Sequence, residues 1–97
     1  MKADDYLHEI RLHYIFHGRV QGVGFRYQAY YMAGRLGLTG WVKNLYNGTV
    51  EMEVQGKGEQ IDAFIRSFYE SPLIRIEDMD IEKIPLETRE KEFKILN

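Results

Sequence analysis

From Glu9 to His17 the chain alternates. Ile10, Leu12, Tyr14 and Phe16 fall on one face and Arg11, His13 and His17 on the other, the period-two pattern of a strand with one buried side. A glycine-rich stretch follows. Phe25, Ala29, Met32, Ala33 and Leu36 then recur at helical spacing, and Gly37 stands where a left-handed cap would end the helix. Thr39 to Tyr46, with Trp41, Val42 and Tyr46, predicts a second strand, and Asn47-Gly48 predicts a two-residue hairpin turn. In the return strand Val50, Met52 and Val54 alternate with Glu51, Glu53 and Gln55, until Gly56 and Gly58 break it. Ile61, Phe64, Ile65 and Phe68 form the apolar face of a second helix, which should stop before Ser71-Pro72. Ile74, Ile76, Met79, Ile81 and Ile84 predict one extended segment with a bulge or irregularity, and Phe93 and Ile95 a short last strand.

The order is strand, helix, strand, strand, helix, strand, with the short terminal strand added. It predicts an α+β fold, the ferredoxin-like two-layer sandwich (βαββαβ), in which an antiparallel sheet carries two helices on one face. The 97 residues suffice for one core, so a single domain over 1–97 is expected, with 1–8 as an N-terminal extension. No repeat, low-complexity tract or linker interrupts it. The fold hosts many unrelated activities, so function has to come from particular residues.

Composition narrows the field. Thirteen basic and fifteen acidic side chains leave a net charge of -2, which gives no global field to draw nucleic acid or an anionic membrane. An anionic ligand would need a local site. The chain has no cysteine, which excludes disulfides, thiolate metal sites and a cysteine nucleophile. Met1 to Asp5 is acidic and leads into no apolar signal region, and nowhere do about 18 apolar residues run together. A soluble cytoplasmic protein is expected.

Gly18-Arg19-Val20-Gln21-Gly22-Val23-Gly24-Phe25-Arg26 joins the first strand to the first helix. Gly18, Gly22 and Gly24 permit turns that other residues resist and leave no Cβ in a ligand's way. The amides from Arg19 to Gly24 could converge on one tetrahedral oxyanion, with the positive helix end behind them. Arg26 would add a full charge and a fork of donors matched to two phosphate oxygens. A plain turn is the competing reading. The stretch is not a nucleotide P-loop, because no Gly-Lys-Ser/Thr follows, and not a dinucleotide fingerprint, because Gly22-Val23-Gly24 continues without the third glycine.

Asn44 is the second candidate. A carboxamide is disfavoured inside a strand. Either it faces solvent or braces the Asn47-Gly48 turn, or its carbonyl accepts from a water while its NH2 donates to a developing oxyanion. His8, His13 and His17 form no catalytic triad and no metal-ligand spacing; they are expected to be solvated, and only His17 lies next to the loop. Trp41, Tyr14, Tyr30, Tyr31 and Phe25 could be imagined as a base-stacking surface. The third strand, Thr49 to Gln55, is acidic and lacks aromatics, so core and edge packing explains them better.

Gly18-Arg19-Val20-Gln21-Gly22-Val23 with Phe25-Arg26, then Ala33, Leu36-Gly37-Leu38, Gly40-Trp41-Val42-Lys43-Asn44, Gly48-Thr49-Val50 and Gln55-Gly56, resemble in order the signature of the acylphosphatase family. The resemblance implies hydrolysis of the carboxyl-phosphate bond of small acyl phosphates to a carboxylate and inorganic phosphate, which as product would also inhibit competitively. It implies that Arg26 and the loop amides of Arg19, Val20, Gln21, Gly22, Val23 and Gly24 bind phosphate and that Asn44 positions the attacking water. No metal, organic cofactor, nucleic acid or membrane is implied, and a monomer is expected. Leu45 stands where some members carry threonine. Family domains also occur inside larger hydrogenase-maturation proteins, but the cysteine-rich zinc motifs of those are absent here, which favours a free-standing enzyme. The alternative is a module that holds a phosphorylated metabolite without turning it over.

Overall fold

The alternating first stretch becomes the centre of the sheet. In the computed structural model, which describes residues 2–97, β1 (Glu9–Arg19) pairs antiparallel with β3 (Val50–Lys57) on one side and β4 (Arg75–Ile84) on the other. β2 (Thr39–Asn44) lies beyond β3, and β5 (Phe93–Ile95) completes the order β4-β1-β3-β2-β5. The helices α2 (Phe25–Leu36) and α3 (Gly58–Tyr69) cover the face that carries Ile10, Leu12, Tyr14 and Phe16. This is the expected ferredoxin-like sandwich. Its one parallel pairing is β2 with β5, a consequence of the crossover from β4 to the far edge.

The core is aromatic at its centre. Phe16 on β1 lies 4.9 Å from Phe25, the first residue of α2, and Phe25 stacks on Phe68 of α3 at 4.2 Å. Phe68 meets Phe64 edge-on at 5.2 Å, and Phe64 in turn reaches Phe93 on β5 at 6.0 Å. Ala29 and Ala33 are fully buried on α2, small enough to let the helix lie close to the sheet. Tyr30 and Tyr31, grouped in the sequence with packing aromatics, are instead exposed on α2.

Several local expectations need correction. Gly56 does not break β3; it pairs with Ile10, and the Leu38 side chain fills the place where a Cβ would stand. β2 ends at Asn44, so Asn44 closes the strand rather than interrupting it, and Tyr46 is fully exposed in the turn. That turn is longer than the two-residue form. The Gly48 amide donates to the Leu45 carbonyl and the Leu45 amide to Thr49, while the Asn47 side chain accepts from the Thr49 amide and hydroxyl at 3.1 and 2.6 Å. Only Gly48 has positive φ, whereas the two-residue turn favoured by Asn-Gly needs it at both positions. The irregularity expected in the fourth strand falls at Glu77, where the β1–β4 register shifts between His17 and Gly18. Gly18 has φ 124°, and a Cβ there would lie 2.3 Å from the Arg75 carbonyl oxygen. Ahead of β1, Ala3–Leu7 forms the short helix α1, tied to β4 by Lys83 Nζ to Asp5 Oδ1 at 2.9 Å.

The outer face of the sheet is not simply solvated. Arg11, on the polar side of β1, is 1% exposed because the segment between β4 and β5 crosses above it. Its Nε donates to Glu53 at 2.9 Å, and Nη1 and Nη2 donate to the two Glu90 oxygens at 2.7 and 3.1 Å. Gln55 fastens the same segment by donating to the Glu87 carbonyl and accepting from its amide. Burial by itself would lower the Arg11 pKa, but the bonds to Glu90 and Glu53 outweigh it and raise the pKa, so the guanidinium stays charged. Truncation would leave two carboxylates without their cation. Arg11→Ala is therefore expected to lower the unfolding free energy by about 3–5 kcal/mol in a urea titration. A loss under about 1 kcal/mol, typical of an exposed pair, would contradict the buried cluster.

Candidate active site

The loop emerges where β1 leaves the sheet. Gly22 and Gly24 adopt φ 71° and 81°, and Gly24 is the residue that caps α2 from outside. The first intrahelical bond of α2 runs from the Gln28 amide to the Gly24 carbonyl, leaving the amides of Phe25, Arg26 and Tyr27 as the free first turn. Among the described residues, the amides of Gln21, Gly22, Val23 and Gly24 donate to no protein acceptor. The segment thus presents a run of unpaired donors beside a positive helix end.

Arg26 and Asn44 meet through a third residue that the sequence did not mark. Asn97, beyond β5, accepts at Oδ1 from Arg26 Nη1 at 3.0 Å and from the Asn44 amide at 3.1 Å. Its Nδ2 donates to the Asn44 carbonyl at 2.8 Å, and its main-chain carbonyl also accepts from Arg26 Nη1. The only signal that could have located Asn97 is topological: β5 lies parallel to β2, with Ile95 opposite Val42 and the Leu96 amide on the Val42 carbonyl. Asn44 Oδ1 is buried, and no donor of the described residues reaches it.

Beside these groups lies a hollow of about 510 Å³ lined by Gln21, Lys43, Asn44, Leu45, Tyr46 and Asn97, with no acidic side chain among them. Lys43 is not free: it sits 3.5 Å from Glu51 and 5.4 Å from the Trp41 ring centroid. The Gln21 side chain turns away from the loop interior and donates to the Leu45 and Thr49 carbonyls at 2.7 and 2.8 Å. Its side chain holds the β2–β3 turn, so only its amide faces the anion role expected of it. Val20 is buried in the core, and Arg19 borders a separate hollow with Tyr69 and Arg75, which leaves both with main-chain groups alone for the loop.

The histidines stay outside. His13 pairs with Glu51 at 2.7 Å and His17 with Asp80 at 2.8 Å, both across the outer face of the sheet. Among the described residues, no three His, Asp or Glu side chains gather where they could hold a metal ion. No helix among them is long and apolar enough to cross a membrane.

The α+β sandwich thus carries a glycine loop with unpaired amides running from β1 into an arginine, and an asparagine at the end of β2, with β3 between the two strands. The acylphosphatase family model matches residues 12–95. An acylphosphatase of Clostridium beijerinckii is 44% identical over 87 residues, covering 89% of this chain and 97% of that protein. The crystal structure of acylphosphatase from Bacillus subtilis superposes with TM-score 0.82 at 31% identity, over 91% of this chain and 99% of that one. That of T. kodakarensis HypF gives TM-score 0.78 at 36% identity, over 91% of this chain but only 12% of that one. The chain belongs to the acylphosphatase family, and it is an enzyme with that family's activity, hydrolysis of the carboxyl-phosphate bond of acyl phosphates.

The Gln21 contacts make a prediction about the turn. Gln21→Ala removes a donor from two carbonyls and should cost about 1–2 kcal/mol in chemical denaturation. Gln21→Glu, which sets a carboxylate against both carbonyls, should cost more. Equal stability of wild type and both variants would show that the turn stands without Gln21.

Proposed function

We propose that the chain hydrolyses small acyl phosphates without a metal, with Arg26 and the main-chain amides of Arg19 to Gly24 holding the phosphoryl group and Asn44 aligning the water. What supports this reading is that the Arg26 guanidinium and the Asn44 main chain share one partner, Asn97, which lines a hollow with Asn44 and the loop residue Gln21, while the amides of Gln21 to Gly24 are unpaired among the described residues.

The chemistry needs little else. Water attacks phosphorus, the bond from phosphorus to the acyl oxygen breaks, and the electron pair leaves on a carboxylate. A carboxylate is a good leaving group, so no strong general acid is required. The loop amides and Arg26 take up charge on the equatorial oxygens, Asn44 sets the water in line, and a phosphoryl oxygen receives the water's proton. Inorganic phosphate, which offers the same oxygens, competes for the site. The reading takes residues 1–97 as one acylphosphatase-like unit with 1–8 preceding it, acting as a cytoplasmic monomer. The cysteine-free composition is in keeping with a reducing compartment.

Hydrolysis of a simple acyl phosphate at neutral pH with chelator present is the test. The wild type should turn over. Arg26→Ala should lose both turnover and inhibition by phosphate. Asn44→Ala should lose about 10²-fold in kcat, the scale of one oriented transition-state donor, while phosphate still inhibits. Undiminished phosphate inhibition in Arg26→Ala would overturn the loop assignment, and parallel loss of turnover and phosphate binding in Asn44→Ala would make that residue structural.

A further inference from the structure

Asn97 lies outside the residues matched by the family model, yet it touches both side chains assigned above. Three features of its contacts separate it from an ordinary end-of-strand residue.

The first is reciprocity. Main-chain pairing between β5 and β2 proceeds through Ile95 opposite Val42 and the Leu96 amide on the Val42 carbonyl. At the next step a side chain takes over: the Asn97 carboxamide accepts from the Asn44 amide and donates to the Asn44 carbonyl, at 3.1 and 2.8 Å. Both main-chain groups of Asn44 are thereby fixed by one planar amide. A single group can do this only if it carries an acceptor and a donor side by side, which a carboxylate or an alkyl group does not.

The second is sharing. The Oδ1 that accepts from the Asn44 amide also accepts from Arg26 Nη1. One atom therefore sets the position of the residue proposed to bind phosphate relative to the residue proposed to hold water. Reaction rates respond steeply to that relation, since small misplacements of reacting groups are costly.

The third is what Asn97 leaves free. Its two oxygens take the donors of Nη1, while Nε and Nη2 of Arg26 have no bond to the described residues. Nε and Nη2 form the edge of a guanidinium that meets two oxygens of a phosphate at once. Asn97 thus orients Arg26 from behind without occupying the fork.

We propose that Asn97 is a positioning residue for acyl phosphate hydrolysis: its carboxamide holds the end of β2 at Asn44 and the Arg26 guanidinium in fixed relation. The proposal rests on the roles given above to Arg26 and Asn44, and it adds a residue that acts through those two.

The experiment compares wild type, Asn97→Ala and Asn97→Asp for kcat, KM, inhibition by inorganic phosphate and exchange of the Asn44 amide. In Asn97→Ala, kcat should fall about tenfold from loosened alignment, with phosphate inhibition within about threefold of wild type and faster exchange at Asn44. In Asn97→Asp, the acceptor is kept, the donor to the Asn44 carbonyl is lost and a negative charge is set beside the phosphate, so phosphate inhibition should weaken as well. Unchanged kcat in Asn97→Ala would overturn the proposal. So would phosphate binding that tightens threefold or more, because Asn97 would then be a competitor for Arg26. A failure of the site reading itself is distinct: Arg26→Ala would then turn over like wild type, whatever Asn97 does.

Discussion

The aromatic chain from Phe16 through Phe25, Phe68 and Phe64 to Phe93 is the contact on which the remaining structure depends. Phe16 and Phe25 bracket the glycine loop, so their contact fixes both ends of a segment whose own residues have few internal bonds. Phe25 immediately precedes Arg26; stacked on Phe68, it sets the direction in which α2 begins. Phe93 carries the same packing to β5 and so to Asn97. A loop rich in glycine loses much conformational entropy on ordering, and here the compensating burial lies just outside it. The glycines lie in the loop, while the aromatic residues pack at its two ends.

Much of this fold was legible because one face of each element is buried. The alternation in Ile10 to Phe16 and the helical spacing of Ile61, Phe64 and Phe68 are direct images of that burial. What could not be read depends on contacts between distant segments. Arg11 has the same period-two phase as the half-exposed His13, and nothing local distinguishes them. Its burial comes from Glu87 to Glu90, nearly eighty residues on, folding back over β1. Gly56 looked like a breaker because glycine is rare in strands, and only the nearby Leu38 side chain explains why a strand there needs one. The Asn47-Gly48 pair did mark a turn, but its length was set by the side-chain bonds of Asn47 to Thr49, which the dipeptide alone does not reveal.

The candidate site divides along the same line. Arg26 and the glycines stood out because their types are unusual together at a strand-to-helix junction, and Asn44 because a carboxamide is unusual in a strand. Those are local anomalies. Gln21 and Asn97 are ordinary residues made important by where the chain brings them: one under the β2–β3 turn, the other beside Asn44 after the only parallel pairing in the sheet. The motif includes Gln21, but the bonds of its side chain to the β2–β3 turn are set by the fold, and Asn97 falls outside the motif altogether.

That division bears on how so small a protein can catalyse. Its lining residues offer no paired carboxylates, imidazole or nucleophilic thiol, and the three histidines are on or near the outer sheet face or ahead of it. On the proposed mechanism the leaving group departs without a proton, and the rate then depends on how firmly the phosphoryl group and water are aligned. Firmness has to come from outside the reacting groups. Each aligned group is braced twice: Arg26 by the packing of its neighbour Phe25 and by Asn97, Asn44 by the β2 ladder and by Asn97. The main-chain turn after Asn44 is braced in its turn by Gln21, a residue of the glycine loop itself. The loop and the end of β2 are therefore linked directly beside the hollow, and a change that moves one moves the other. On the proposed reading, catalysis by alignment asks for that coupling, and the bracing residues then contribute to rate, though less than the groups they hold.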